Sequence, residues 1–136
     1  MANMTDTTRD VVKRYLAALS SGDRATARAC IAEDAVWDAP PSMGSGRVEG
    51  RDAIFDKYFA IDEGLFETGV SSYDLTIETL VAEDDRAAVE LLHRSRTLAG
   101  GPFETRYCVV FEVTNEQIVH AREHMDSLYI SQIFPR

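Results

Sequence analysis

The chain of 136 residues carries 14 lysines and arginines against 23 aspartates and glutamates, a net charge of −9. With 45% hydrophobic residues it has enough apolar material for one folded domain over residues 1–136, which argues against a disordered chain. An acidic chain with no basic run also argues against nucleic acid, whose phosphates need clustered Lys and Arg. The polar start, residues 1–9, lacks the apolar stretch of a secretory signal. The apolar stretch 108–113 is broken by Glu112 and is far too short to span a bilayer. A cytoplasmic protein without a membrane partner is therefore expected. Cys30 and Cys108 lie far apart and read as small buried hydrophobes rather than a metal or redox pair.

In chain order, Val11, Val12, Tyr15, Leu16 and Leu19 recur at three- and four-residue spacing and predict a first amphipathic helix. Ser20-Ser21-Gly22 stops it, glycine suiting the left-handed position beyond a helix. Asp23 caps a second, short helix over residues 24–30. A break at Glu33-Asp34 leads into an extended piece over 35–38, halted by Pro40-Pro41. Residues 42–50 hold three glycines and read as a loop or a loose hairpin. Ile54, Phe55, Tyr58 and Phe59 place a third apolar stripe on a helix over 51–62.

The period then changes to two. Tyr73, Leu75, Ile77, Thr79 and Val81 form one face of a strand that turns at 83–86. Val89, Leu91, His93, Ser95 and Thr97 share a face of the next strand, which turns at 99–102. Phe103, Tyr107, Val109, Phe111 and Val113 share a face of a third, which turns at 114–116. On the last strand Val119, Ala121, Glu123 and Met125 face one way, opposite Ile118, His120, Arg122, His124 and Asp126. A short helical tail from Ser127 carries Leu128, Ile130, Ile133 and Phe134. Three helices followed by an antiparallel meander make an α+β fold, with a curved sheet wrapping the helices. Cys108, Val110 and Ile118 lie among charges on the outer face, which predicts a homodimer through that face.

Two ionisable residues interrupt the apolar faces. Glu123 is the first candidate for catalysis, because burial raises a carboxyl pKa toward neutrality, as proton transfer at neutral pH requires. The structural alternative is a Glu fixed by an arginine or a helix N-terminus. His93 is the second, an imidazole able to share a proton with Glu123; a satisfied core histidine is its alternative. Tyr15 or Tyr107 would supply a hydroxyl to a substrate oxygen, and Ser95 would neighbour His93. Trp37, Tyr58, Tyr107 and Phe111 are expected, with Tyr15, to line an apolar binding site, although aromatic stripes also pack plain cores. Parity turns Asp38 to the other face. His120 and His124 have strand spacing, not that of a helical zinc site, so no metal is expected.

The strings Tyr15-Leu-Ala-Ala-Leu-Ser-Ser-Gly-Asp23, Glu33-Asp-Ala-Val-Trp-Asp-Ala-Pro40 and Gly50-Arg-Asp-Ala-Ile54 carry a resemblance. So do Val110-Phe-Glu-Val-Thr-Asn-Glu-Gln-Ile118 and Ala121-Arg-Glu-His-Met-Asp126. Over residues 7–134 the chain resembles the SnoaL-like families of the nuclear-transport-factor-2-like superfamily. That superfamily includes ketosteroid isomerases, limonene epoxide hydrolases, scytalone dehydratase and polyketide cyclases. The resemblance implies a conical barrel with a central pocket, commonly a dimer, acting without a cofactor on a small apolar or polyketide-like molecule. It aligns Tyr15 with the isomerases' oxyanion-stabilising tyrosine, but puts Ala39 where their general base stands and Val109 where their second acid stands. Steroid isomerisation by that mechanism is therefore not expected. The epoxide hydrolases' last-strand Asp aligns with Glu123, their Tyr with Trp37 and their Asn with Ala39, while their Arg and first Asp fall near His93 and Ser95. The cyclases' acid also falls at or near Glu123. The reading that follows is a general acid–base enzyme of isomerase, cyclase, dehydratase or epoxide hydrolase type. Its rival is a small-molecule-binding or dimerising module without catalysis.

Overall fold

The computed structural model describes residues 3–41, 46–66 and 74–133, with residues 59–64 described as backbone. Helix α1, Met4–Ser21, starts where the Asn3 side chain accepts the Asp6 N–H, and stops at Gly22, whose φ of 75° few other residues tolerate. Helix α2, Arg24–Ala29, is capped by Asp23, which accepts the Thr26 N–H. Strands β1 (Ile31–Asp38) and β2 (Arg47–Glu49) precede helix α3, Arg51–Leu65. Then come β3 (Asp74–Glu83), β4 (Arg86–Arg96), β5 (Pro102–Thr114), β6 (Gln117–Met125) and a fourth helix, α4 (Ser127–Ile133).

The strands form one curved six-stranded sheet in the order β2-β1-β6-β5-β4-β3. Consecutive strands from β3 to β6 pair antiparallel, as the meander reading requires. The β1–β6 pair is parallel, and it joins the amino-terminal hairpin to the last strand. Helix α1 packs across β3 to β6 and α3 against β1 and β2, so the helices and the inner sheet face enclose the main core. Val11, Val12, Tyr15 and Leu16 meet Trp37, Val89, Val109 and Phe111 there. A smaller cluster, Phe66, Phe103 and Ile130, lies where α4 covers one end of the sheet. No helix among the described residues is long and apolar enough to cross a membrane.

Several expectations need correction, and most share one cause. Strand β1 begins at Ile31, not at residue 35: the expected break at Glu33-Asp34 is an irregularity inside the β1–β6 pairing, between Ile31 and Val36. In β3 the pairing slips between Ile77 and Thr79, so Glu78 is an extra residue and parity reverses after it. Val81 therefore points outward, 59% exposed, while Leu80 and Ala82 turn to the core. A second slip lets Val113 pair with Ile118 and Glu112 with His120, leaving Val119 as the extra residue. Ile118 is consequently fully buried in the core, not on the outer face. Helix α3 continues to Leu65, beyond the expected residue 62. Tyr73, Phe134, residues 42–45 and the Phe59 side chain lie outside the described residues.

Candidate active site

Parity places Trp37 and Glu123 on the inner face. Trp37 pairs with Ala121 across the parallel β1–β6 ladder, and Glu123 stands two residues further along β6, opposite Val109. That diagonal brings indole to carboxylate: Trp37 Nε1–H donates to Glu123 Oε1 at 2.8 Å. Around Trp37 the rings of Tyr15 (5.8 Å between centroids), Tyr58 (6.2 Å) and Phe111 (6.2 Å) come from α1, α3 and β5. Tyr15 also meets Phe111 edge-on, so four elements converge on one aromatic nest. Glu123 forms no ion pair among the described residues, and its Oε2 forms no hydrogen bond among them. Burial pushes its carboxyl up to about 7, against the lowering pull of the Trp37 N–H. A group balanced there can give a proton or take one at neutral pH.

His93 occupies a different neighbourhood. It is 1% exposed, with its Nδ1 3.1 Å from Tyr107 Oη and its Nε2 3.0 Å from Ser95 Oγ. Phe66 and Phe103 stand edge-on to the imidazole at 5.5 and 5.4 Å. Burial pushes its pKa down to about 4, with Asp74 opposing, so the ring is neutral at pH 7.

The expected Glu123–His93 pair is not made. His93 stands opposite Thr105 and Glu123 opposite Val109, two strands and four residues apart. On a flat sheet that is roughly 16 Å between Cα atoms, from about 4.8 Å per strand and 3.3 Å per residue. Tyr107 lies between them on β5, inward-facing and partly buried. The sequence reading gives Trp37 as lining and, through the resemblance, at the position of the epoxide hydrolases' Tyr. Its role as the hydrogen-bond donor that fixes Glu123 was missed, although a lone tryptophan on an inward face and its alignment with the epoxide hydrolases' Tyr both pointed to it.

The outer face carries the opposite electrostatics. Asp38 accepts from Arg47 at 2.9 and 3.1 Å and lies 2.6 Å from His120 Nε2. Those partners hold its carboxyl well below the usual range, the Arg47 hydrogen bonds most of all. Arg122, 2.9 Å from Glu112, lowers that carboxyl's pKa, with Arg86 and His120 beside it. Among the described residues no group of three His, Cys, Asp or Glu is placed to hold a metal ion.

Comparison with known proteins agrees with this architecture. The SnoaL-like domain family matches residues 12–121. The chain is similar to an NTF2-like protein of unknown function from Burkholderia pseudomallei, with a TM-score of 0.84 at 17% identity over 96% of this chain and 98% of that one. It is similar to Bal32a, from a soil-derived mobile gene cassette, with a TM-score of 0.79 at 27% identity over 98% and 100% of the two chains. TerC, crystallised with polyporic acid, has the same fold, with a TM-score of 0.81 at 14% identity over 93% and 97%. Among curated proteins none matches. The cone-like α+β fold and the match over most of its length make this chain a member of the SnoaL-like domain family.

Proposed function

We propose that the chain is a cofactor-independent enzyme that moves a proton on a small apolar organic molecule, in the manner of an isomerase, cyclase, dehydratase or epoxide hydrolase. Glu123 is the acid–base group, acting through Oε2 while Trp37 holds Oε1. Tyr15, Tyr58 and Phe111 shape the surroundings, and Tyr107 or Tyr15 gives a hydroxyl to a substrate oxygen. One observation carries the reading: a half-buried, desolvated carboxyl held by a single neutral donor, with no cation against it among the described residues. A merely structural Glu would be expected to have an arginine beside it, as Glu112 does. The small ligand of TerC supports a small-molecule partner. Within this reading the protein is a single domain that works in the cytoplasm as a homodimer through its outer sheet face, where Cys108 and Val110 are half-buried. Sedimentation at micromolar concentration should give a dimer, and a species of 15.1 kDa alone would contradict that part.

The test uses a generic proton-abstraction probe, 5-nitrobenzisoxazole. A base takes its C3 proton, the N–O bond breaks, and the electron pair ends on the phenolate oxygen of a coloured cyanophenol. Wild type should open it with saturation, and the rate should rise with pH through about 7 as Glu123 ionises. Glu123→Gln should lose on the order of a hundredfold, the worth of a positioned base. Equal rates in both proteins would overturn the reading. The rival, binding without reaction, is favoured by Ala39 and Val109 standing where the isomerases keep acids, and by Arg94 pairing outward with Glu104 instead of facing the nest. Saturable binding of the probe without ring opening would select it.

A further inference from the structure

Trp37 and Asp38 point to opposite faces of β1, and each is bonded across the same seam to β6. Inside, Trp37 Nε1–H reaches Glu123 Oε1 at 2.8 Å; outside, Asp38 Oδ2 lies 2.6 Å from His120 Nε2. That seam is the parallel β1–β6 pairing, through which the β1–β2 hairpin joins the rest of the sheet, and its register is irregular between Ile31 and Val36. A movement of β1 relative to β6 therefore changes both bonds together.

His120 stands between two carboxylates. Its Nδ1 lies 3.1 Å from Glu112 Oε2 on β5 and 3.3 Å from Nη1 of Arg122, two residues along β6. Further out, Arg47 of β2 bonds Asp38 and Arg86 of β4 pairs with Glu112, while Glu49 of β2 stands opposite Val36, whose other neighbour is His120. Asp38 and Glu112 are both held below the usual carboxyl range, so near neutral pH each only accepts hydrogen bonds. The 2.6 Å contact puts a proton on Nε2, since a bare nitrogen would set its lone pair against that of an oxygen. Nδ1 has two choices. Without a proton it accepts from Arg122, and the imidazole holds β1 alone. With one it donates to Glu112, and the imidazolium grips β1 and β5 at once through charge-assisted bonds, roughly twice as strong as neutral ones. The ring is partly exposed, so that proton comes directly from solvent.

We propose that His120 is a positioning residue: its second proton clamps the outer side of the β1–β6 seam and thereby tightens the Trp37–Glu123 bond on the inner side. The inner contact then answers to pH through a group that never touches the bound molecule. The inference rests on Trp37–Glu123 being the working contact of the proposed enzyme, but its test needs no turnover.

The experiment follows the Trp37 indole N–H and the His120 imidazole by NMR on the full chain carrying Glu123→Gln. Glutamine keeps a carbonyl oxygen for the indole and has no proton to titrate, so any pH step left in the indole signal comes from another group. As His120 gains its second proton, the indole N–H resonance should move downfield and its exchange with solvent should slow a few-fold. Adding His120→Gln should leave both flat with pH. Linkage is reciprocal, so loss of the indole must weaken proton binding at His120. Adding Trp37→Phe to Glu123→Gln should accordingly lower the His120 midpoint by up to about half a pH unit, a fraction of one hydrogen bond. An indole signal indifferent to the His120 titration overturns the proposal, as does a step that survives His120→Gln or a midpoint that ignores Trp37→Phe. Should His120→Gln fail to fold, Asp38→Ala takes its place and must give the same flat signal. Should Glu123→Gln keep its ring opening of 5-nitrobenzisoxazole, the base reading falls while the indole signal still decides this one.

Discussion

Trp37 and Asp38 are consecutive residues of β1, yet each brings a carboxylate into an opposite electrostatic regime. On the inner side Glu123 has an indole N–H and aromatic walls, and its carboxyl rises to about 7. On the outer side Asp38 has a guanidinium and an imidazole, and its carboxyl is driven well below the usual range. The sheet thus separates an acid kept near its switching point from acids that stay ionised. The inner face repeats the lesson with a base: desolvation that lifts Glu123 lowers His93, because in both cases the charged form loses water.

Glu123→Gln tests that contrast most severely. Beside the loss of about a hundredfold in ring opening, the variant should be more stable than wild type above pH 7. The sign follows from linkage: the folded state holds the Glu123 proton up to about 7, the unfolded state only to about 4.5. Stability from this group is full below the lower value and is lost as pH rises through the higher one. Removing the carboxylate should return on the order of 2–3 kcal/mol at pH 8, read from denaturant unfolding.

His93 supplies the opposite slope. Its folded pKa is lowered from 6.5 to about 4, so its contribution is present above 6.5 and is lost as pH falls through 4. Between about 4.5 and 6.5 the two trends oppose, and their sum is close to zero. In Glu123→Gln unfolding free energy should fall with acid by up to about 1.4 kcal/mol per pH unit across that window, while in His93→Leu it should rise as the pH drops. Parallel slopes in the two variants would break the comparison.

Smaller effects sharpen it. Trp37→Phe keeps an aromatic ring but removes the one donor that favours the carboxylate, so the midpoint of the ring-opening profile should move up by about half to one pH unit. A downward shift would show that another group sets the Glu123 proton. Least of all, Asp38→Asn should cost about 0.5–1 kcal/mol at pH 7, as a partly exposed ion pair does. Its depressed pKa makes the contribution present above the unfolded value and lost as pH falls through the folded one, so the variant and wild type should converge in strong acid.

The inward row Val89, Leu91, His93 on β4, and Val109, Phe111, Val113 on β5, was legible because both strands keep strict alternation. Val81 and Ile118 were misplaced because Glu78 and Val119 each add one residue to a strand, and an inserted backbone residue leaves no mark on side-chain chemistry. Glu123 escaped the error because it lies beyond the slip, in register with Val109. Its partner did not follow from pattern: Trp37 is 86 residues away and reaches it through a parallel pairing that no local period announces. His93 was placed on the correct face with Ser95, two residues along the same strand, as a neighbour, but its other partner was wrongly taken as Glu123, since only cross-strand register brings Tyr107 to it.

The chain contains one tryptophan, and it is the residue hydrogen-bonded to Glu123. Under excitation selective for indole, every emitted photon therefore originates beside the candidate carboxyl, with no background from a second ring system of the same kind. Protonating Glu123 changes the charge 2.8 Å from the indole nitrogen, so emission intensity becomes a native optical gauge of that proton in the unlabelled protein. The same light also makes the site fragile, for photo-oxidation of this single ring removes the gauge and the donor together.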